Sequence, residues 1–150
     1  MISIKRELHF CSGHRVYLHE SKCNHLHGHN YEVWIHARAP ELDEIGRVID
    51  FGIIKDLIGK WIDENWDHGF IVWEHDLTIK SMLESLYLGH GKPKQKMYVL
   101  SENPTAENMA AHLLRVICPK LLEGTNVEVF QIDLFETPRC CATVTLDGDE

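Results

Sequence analysis

Positive charge is scarce in this chain. Its 15 lysines and arginines face 23 aspartates and glutamates, leaving a formal net charge of -8 at pH 7. A general nucleic-acid binder needs a basic surface to displace counterions from phosphates, so that class is disfavoured. A small anionic substrate is not excluded, because it asks only for a local basic pocket. Long apolar runs are also missing: no stretch approaches the roughly 20 residues that span a bilayer. The opening MISIKRELHF lacks the charged-then-apolar profile of an export signal, so a cytoplasmic enzyme or binding protein is expected. Repeats, low-complexity tracts and linkers are absent too. With 150 residues and 44% hydrophobic content, the chain reads as one domain with a real core.

Cysteine is sparse and odd in number: Cys11, Cys23, Cys118, Cys140 and Cys141. This pattern reads as reduced thiols rather than a disulfide framework. Cys118 falls on the apolar stripe of a predicted helix and belongs to the core. Adjacent Cys140 and Cys141 point to opposite sides of a predicted strand, so they do not make a metal pair. Cys23 alone lies among polar and potentially cationic neighbours, the setting that activates a thiol.

What the chain does have is histidine, concentrated in FCSGHRVYLHESKCNHLHGHNY (residues 10–31), which holds His14, His19, His25, His27 and His29. On an extended strand, His27 and His29 point to one face, because side chains alternate with a period of two. Gly28 between them adds no bulk on the other face. A third nitrogen, from His14, would complete a three-ligand zinc site with its fourth position open, the pattern of a catalytic metal. An isolated His-x-His pair is more often an ordinary packed pair; the surrounding cluster is what favours the metal. Cys23, four residues before His27, remains open as a zinc ligand or as a reacting thiol.

Residues 2–10 and 30–39 read as strands, the second with Tyr31, Val33, Ile35 and Ala37 on one face. With the histidine loop between them they form a hairpin that sets His14 beside His27 and His29. Residues 51–65 switch to helical spacing (Ile54, Leu57, Ile58, Trp61, Ile62) behind Asp50 as a cap. Residues 68–73 look extended, and 76–88 read as a short helix carrying Leu77, Met82, Leu83 and Leu86. A polar loop at 89–96 precedes a brief strand at 97–100. A second long helix runs over about 105–122, capped by Thr105, with Met109, Ala110, Leu113, Leu114, Ile117 and Leu121 in its stripe. Strands at 126–136 and 139–147 end the chain. The order predicts an α+β domain: a four-stranded antiparallel sheet with two main helices on one face. Open sheet edges would favour self-association.

Three further groupings carry possible chemistry. Asp67-His68 pairs an acid with an imidazole, either as a polarised relay or as a polar helix end. Glu136, closing the strand before Pro138, is either solvated or an acceptor for paired N–H donors of a heterocycle. Thr105 and Glu107 sit in a first helical turn, where capping and the helix dipole already explain them.

In order along the chain, Phe10-x-Ser-Gly-His14, Cys23-x-x-Leu-His27-Gly-His29-Asn-Tyr31, Val48-Ile-Asp50-Phe51-Gly, Asp67-His68, Pro104-Thr-Ala-Glu107-Asn108 and Glu136-Thr137 resemble the 6-pyruvoyltetrahydropterin synthase family. That family includes the bacterial 6-carboxytetrahydropterin synthases of queuosine biosynthesis. The resemblance implies the tunnelling fold, assembled as an oligomeric barrel, usually a homohexamer with active sites between subunits. It implies Zn2+ on His14, His27 and His29, Cys23 as the catalytic thiol with Asp67 and His68 as partners, and Glu136 anchoring the pterin. Thr105 and Glu107 join Glu136 as substrate-binding candidates. The substrate implied is 7,8-dihydroneopterin triphosphate, with Arg15, Lys22 or Lys92–Lys96 as candidates for its phosphates. The short gap from Cys23 to His27 favours the 6-carboxy activity over 6-pyruvoyl synthesis. The expanded region at 74–98 and Glu20 near Cys23 depart from the compact pattern or carry no assigned role. A reading of another class is a non-catalytic zinc- or pterin-binding module in which Cys23 is the fourth ligand.

Overall fold

The computed structural model describes residues 1–91 and 94–146, so the expectations for Lys92 and for position 147 lie outside the described residues. Six strands form one sheet: β1 (Ser3–His14), β2 (His27–Arg38), β3 (Gly69–Trp73), β4 (Met97–Leu100), β5 (Glu128–Thr137) and β6 (Cys140–Thr145), in the spatial order β4-β3-β1-β2-β5-β6. The two long helices are α1 (51–65) and α3 (106–121), with the shorter α2 at Leu77–Ser85. Each long helix contains one π-helical stretch, Lys55–Gly59 in α1 and Leu113–Ile117 in α3. Both predicted caps form: Asp50 accepts from Gly52 N, and the Thr105 hydroxyl accepts from Asn108 N.

The hairpin organises the domain. β1 and β2 pair antiparallel over twelve rungs, from Ser3 opposite Arg38 to His14 opposite His27. Its even-numbered β1 residues and odd-numbered β2 residues share one face. Leu8 and Phe10 from one strand, and Tyr31, Val33, Ile35 and Ala37 from the other, are buried there. Against them pack Ile54, Ile58 and Ile62 of α1, Met109, Leu113, Leu114 and Ile117 of α3, and Ile132 and Leu134 of β5, in one cluster. Cys118 lies in the same core, which raises its thiol pKa to about 12 by desolvation. Strands β1 and β2 reach further than the predicted 2–10 and 30–39. All three site histidines therefore stand on the sheet rather than in the loop.

The expected four-stranded antiparallel sheet is a correction. β1, β2, β5 and β6 do form that sheet, but β3 joins parallel to β1 and β4 parallel to β3. The cause is visible in β3 itself, Gly-Phe-Ile-Val-Trp, which is buried on both faces, as parallel strands tend to be. Ile71 enters the main core, whereas Val72 packs with Ile79 and Leu83 of α2, supported by Phe70 and Met97. Successive strand residues face opposite ways, so α2 lies across the sheet from α1 and α3. The expanded region at 74–98 thus builds a small β-α-β unit. The stripe predicted for its helix is also revised. Leu83 is buried, its partner is Ile79, and Leu77, Met82 and Leu86 are exposed.

No helix among the described residues is long and apolar enough to cross a membrane. Replacing Ile71, fully buried in β3, by alanine is expected to cost about 2–5 kcal/mol in urea unfolding. Val99→Ala, on the exposed side of β4, should stay within about 0.5 kcal/mol of the parent. Equal losses would contradict this placement of β3.

Candidate active site

The long hairpin register brings His14 and His27 face to face, and His29 lies two residues further along the same side of β2. The three ring centroids are 4.6, 5.1 and 4.9 Å apart, and one nitrogen from each ring lies within 4.8 Å of the others. Gly28 turns to the opposite face, where a methyl group would sit 3.1 Å from the Ser12 carbonyl.

Hydrogen bonding fixes how two of these rings are protonated. His14 Nδ1 lies 2.7 Å from the carbonyl oxygen of Pro104, and His27 Nδ1 lies 2.7 Å from that of His25. A carbonyl only accepts, so both Nδ1 atoms carry the hydrogen. In the neutral rings each Nε2 then presents a lone pair. Those two Nε2 atoms stand 3.1 Å apart. Two lone pairs aimed at one point repel unless a proton or a cation sits between them, and an Nδ1–H on a carbonyl is the usual support of a metal-ligating histidine. The donor set therefore fits a divalent ion such as zinc. Burial lowers the His14 pKa to about 4, opposed by the Pro104 bond and helped by the neighbouring histidines. His29 is lowered by burial and by His27. Both shifts favour the neutral, ligating form. Tyr31 closes the floor of the site, fully buried and stacked on Phe10 at 4.7 Å, and desolvation raises its hydroxyl pKa.

Beside the histidines, a cleft of about 320 Å³ has His19, Cys23, Thr105, Glu107, Glu136 and Cys141 in its lining. Cys23 stands in the single 3-10 turn Lys22–Asn24 of the hairpin loop, and its sulfur is not among the three clustered donors. Glu136 Oε2 lies 3.9 Å from His29 Nε2. Burial and then Glu107 raise the Glu136 pKa, and His27 opposes them. Thr105 spends its oxygen on the cap of α3. Glu20 is exposed on the loop, near His19.

Asp67 and His68 come together elsewhere. His68 Nδ1 donates to Asp67 Oδ2 at 2.7 Å, and Asp67 Oδ1 accepts from Cys11 N at 2.9 Å. His68 lines a second cleft with Cys11, Asn30 and Phe70, which His27 and His29 also border. The single chain gathers His14, His27, His29, Cys23, Thr105, Glu107 and Glu136 in one neighbourhood. It does not bring the Asp67–His68 pair into the cleft of Cys23.

Several contributors escape a reading of the sequence. The Pro104 carbonyl is a backbone group with no signature of its own. Asn103 exchanges two hydrogen bonds with the backbone of Tyr17, and Asn108 donates to Asn103 O, pinning the hairpin loop to the start of α3. The repeated asparagine in Asn103-Pro-Thr-Ala-Glu-Asn108 was the available signal. Arg15 is tied at 2.7 Å through two nitrogens to buried Asp76, which commits it to structure rather than to a free anion pocket. Lys22 remains exposed beside Cys23.

The family model for 6-pyruvoyl tetrahydropterin synthase matches residues 3–147. A 6-carboxy-5,6,7,8-tetrahydropterin synthase of Rickettsia bellii is 46% identical over 144 residues, covering 96% of this chain and 100% of its own length. The protein of that name from Haemophilus influenzae is 30% identical over 145 residues, covering 92% and 94%. Among solved structures, an uncharacterized protein of Wolinella succinogenes superposes with a TM-score of 0.79 at 27% identity, over 96% of this chain and 97% of that one. The Caenorhabditis elegans 6-pyruvoyl tetrahydropterin synthase gives 0.66 at 20% identity, over 97% and 96%, a likeness of fold.

The metal-free protein should register the buried His14. Its folded pKa lies below the unfolded value of 6.5, so its contribution is complete above pH 6.5 and is lost as pH falls towards 4. Wild-type unfolding free energy in urea should drop by roughly 3 kcal/mol more than that of His14→Gln across this window. Parallel pH curves for the two proteins would refute the assignment.

Proposed function

The chain belongs to the 6-pyruvoyl tetrahydropterin synthase family, and from that we propose that it is a zinc-dependent 6-carboxy-5,6,7,8-tetrahydropterin synthase. The reaction takes 7,8-dihydroneopterin triphosphate and one water to 6-carboxytetrahydropterin, acetaldehyde and triphosphate. Hydrogen moves within the substrate, so no nicotinamide or flavin is needed. The observation that carries the reading is the convergence of two Nε2 lone pairs at 3.1 Å with His29 alongside, next to a cleft holding a thiol and a carboxylate. The relatives named for this activity, at 44–46% identity over essentially their whole length, support the same branch.

In this reading His14, His27 and His29 hold the zinc, which when bound supplies Lewis acidity towards the side-chain oxygens of the substrate. Glu136 accepts paired N–H groups of the pterin ring and fixes its orientation, with Thr105 and Glu107 along the same wall. Cys23 Sγ, as thiolate, removes a proton from the side chain. The imidazolium form of His68 delivers one from Nε2, because its Nδ1–H is committed to Asp67. Cys23 and His68 line different clefts of one chain, so this chemistry requires them to meet across two subunits. The edge strands β4 and β6 offer unpaired backbone for such an assembly, which we take to be a homohexamer. The reading carries with it a cytoplasmic location and a place in queuosine biosynthesis.

Incubating the zinc-loaded protein with 7,8-dihydroneopterin triphosphate should yield a pterin with the mass of the 6-carboxy product. A pyruvoyl side chain would assign it to the other branch, and no turnover would defeat the proposal. Cys23→Ala is expected to retain zinc and pterin binding while losing activity by at least a hundredfold. Subunits carrying Cys23→Ala, co-assembled with inactive His68→Ala subunits, should regain part of the activity. Mixed assemblies that stay dead would argue against a shared site.

A further inference from the structure

The turn that presents His68 is held from outside by a residue of the expanded region. Helix α1 ends at Asn65, and its last carbonyls need donors once the intrahelical partners run out. Trp66 N and Asp67 N both turn back to Ile62 O, at 2.8 and 2.9 Å. Lys96 Nζ donates to Asp63 O at 2.9 Å and to Asp67 O at 2.5 Å, a cation set on the negative end of the helix. Its stem lies against Gly69, where a methyl group would meet Lys96 Cδ at 3.0 Å and Trp66 O at 3.2 Å. Next to it, Phe70 N donates to Lys96 O at 3.0 Å.

Between these contacts, His68 adopts φ +56°, the left-handed region that a non-glycine residue enters only when its surroundings impose it. The sheet holds the turn from the other side, through Cys11 N on Asp67 and His68 N on Cys11 O. The result is a histidine whose Nδ1 is fixed by Asp67 while its side chain remains 78% exposed and able to reach a partner.

We propose that Lys96 is a positioning residue: by bridging the carbonyls of Asp63 and Asp67 it holds the left-handed turn that presents Nε2 of His68. This rests on the reading of His68 as proton donor, and it removes Lys96 from the residues that would grip the triphosphate. Nothing else in the described residues satisfies those two carbonyls with a charge.

The test compares Lys96→Met and Lys96→Arg in the full-length, zinc-loaded protein. Lys96→Met should lower kcat about tenfold to a hundredfold with KM within twofold, the signature of a misplaced group rather than a lost contact. Lys96→Arg, which keeps a cation at the carbonyls, should recover most of kcat. A raised KM at unchanged kcat in Lys96→Met would make Lys96 a phosphate ligand and overturn the proposal, as would wild-type values of both. A folded Lys96→Arg as slow as Lys96→Met would overturn it too. Nitrogen NMR of the His68 ring gives a readout independent of turnover. With the ring in its neutral form, at alkaline pH, the wild type should show the hydrogen on Nδ1, held by Asp67, and Lys96→Met a mixture of tautomers. An unchanged tautomer would refute the positioning role. A wild type with no turnover would sink the functional reading while leaving the NMR comparison decisive for Lys96.

Discussion

One hydrogen bond, from His14 Nδ1 to the carbonyl of Pro104, joins the two halves of the site. It spans ninety residues and links the end of the first strand to the segment that opens α3. It sets the tautomer of His14 and aims Nε2 at His27. It also ties the cleft wall to the histidines, since the next residue, Thr105, starts the helix that carries Glu107. Asn103, one residue earlier, holds the hairpin loop that bears Cys23. The six residues from 103 to 108 therefore orient a ligand, a loop and a helix together.

The strength of that arrangement comes from what lies beneath it. Tyr31, Phe10 and Trp66 form a continuous aromatic layer, with centroids 4.7 and 5.5 Å apart, running from the histidines to the residue just before Asp67. Packed rings leave little freedom for the strands above them. The two clefts are thus fixed to one rigid base although they open apart.

Much of this was legible in the amino acids. Alternation in Tyr31, Val33, Ile35 and Ala37 gave the hairpin, and the same alternation carried back to His29 and His27 put both rings on one side. Asp50 and Thr105 marked helix starts because their side chains satisfy exposed N–H groups at those ends. Residues 68–73 and 97–100 were legible as extended segments, but their parallel place in the sheet was not, for a physical reason. Phe-Ile-Val-Trp and Met-Tyr-Val-Leu are too short and too evenly apolar to show a period, because β3 is covered on both faces. The position of Asp67 and His68 relative to Cys23 was equally hidden, since motif order says nothing about which cleft a turn faces. Arg15 looked like a candidate for an anion until its carboxylate partner, sixty-one residues away, appeared in the fold.

The twelve-rung ladder between β1 and β2 imposes a parity rule on any descendant of this chain. Insertions in the loop at 15–26 leave the strand register intact, because they lie beyond the last rung, although they would displace Cys23 and the Tyr17 contacts with Asn103. A single residue gained or lost within either strand, between the site and Leu8 or Ile35, would exchange inside for outside along that arm. The apolar residues would then meet water or the imidazoles would leave their meeting point, so drift there must come in pairs.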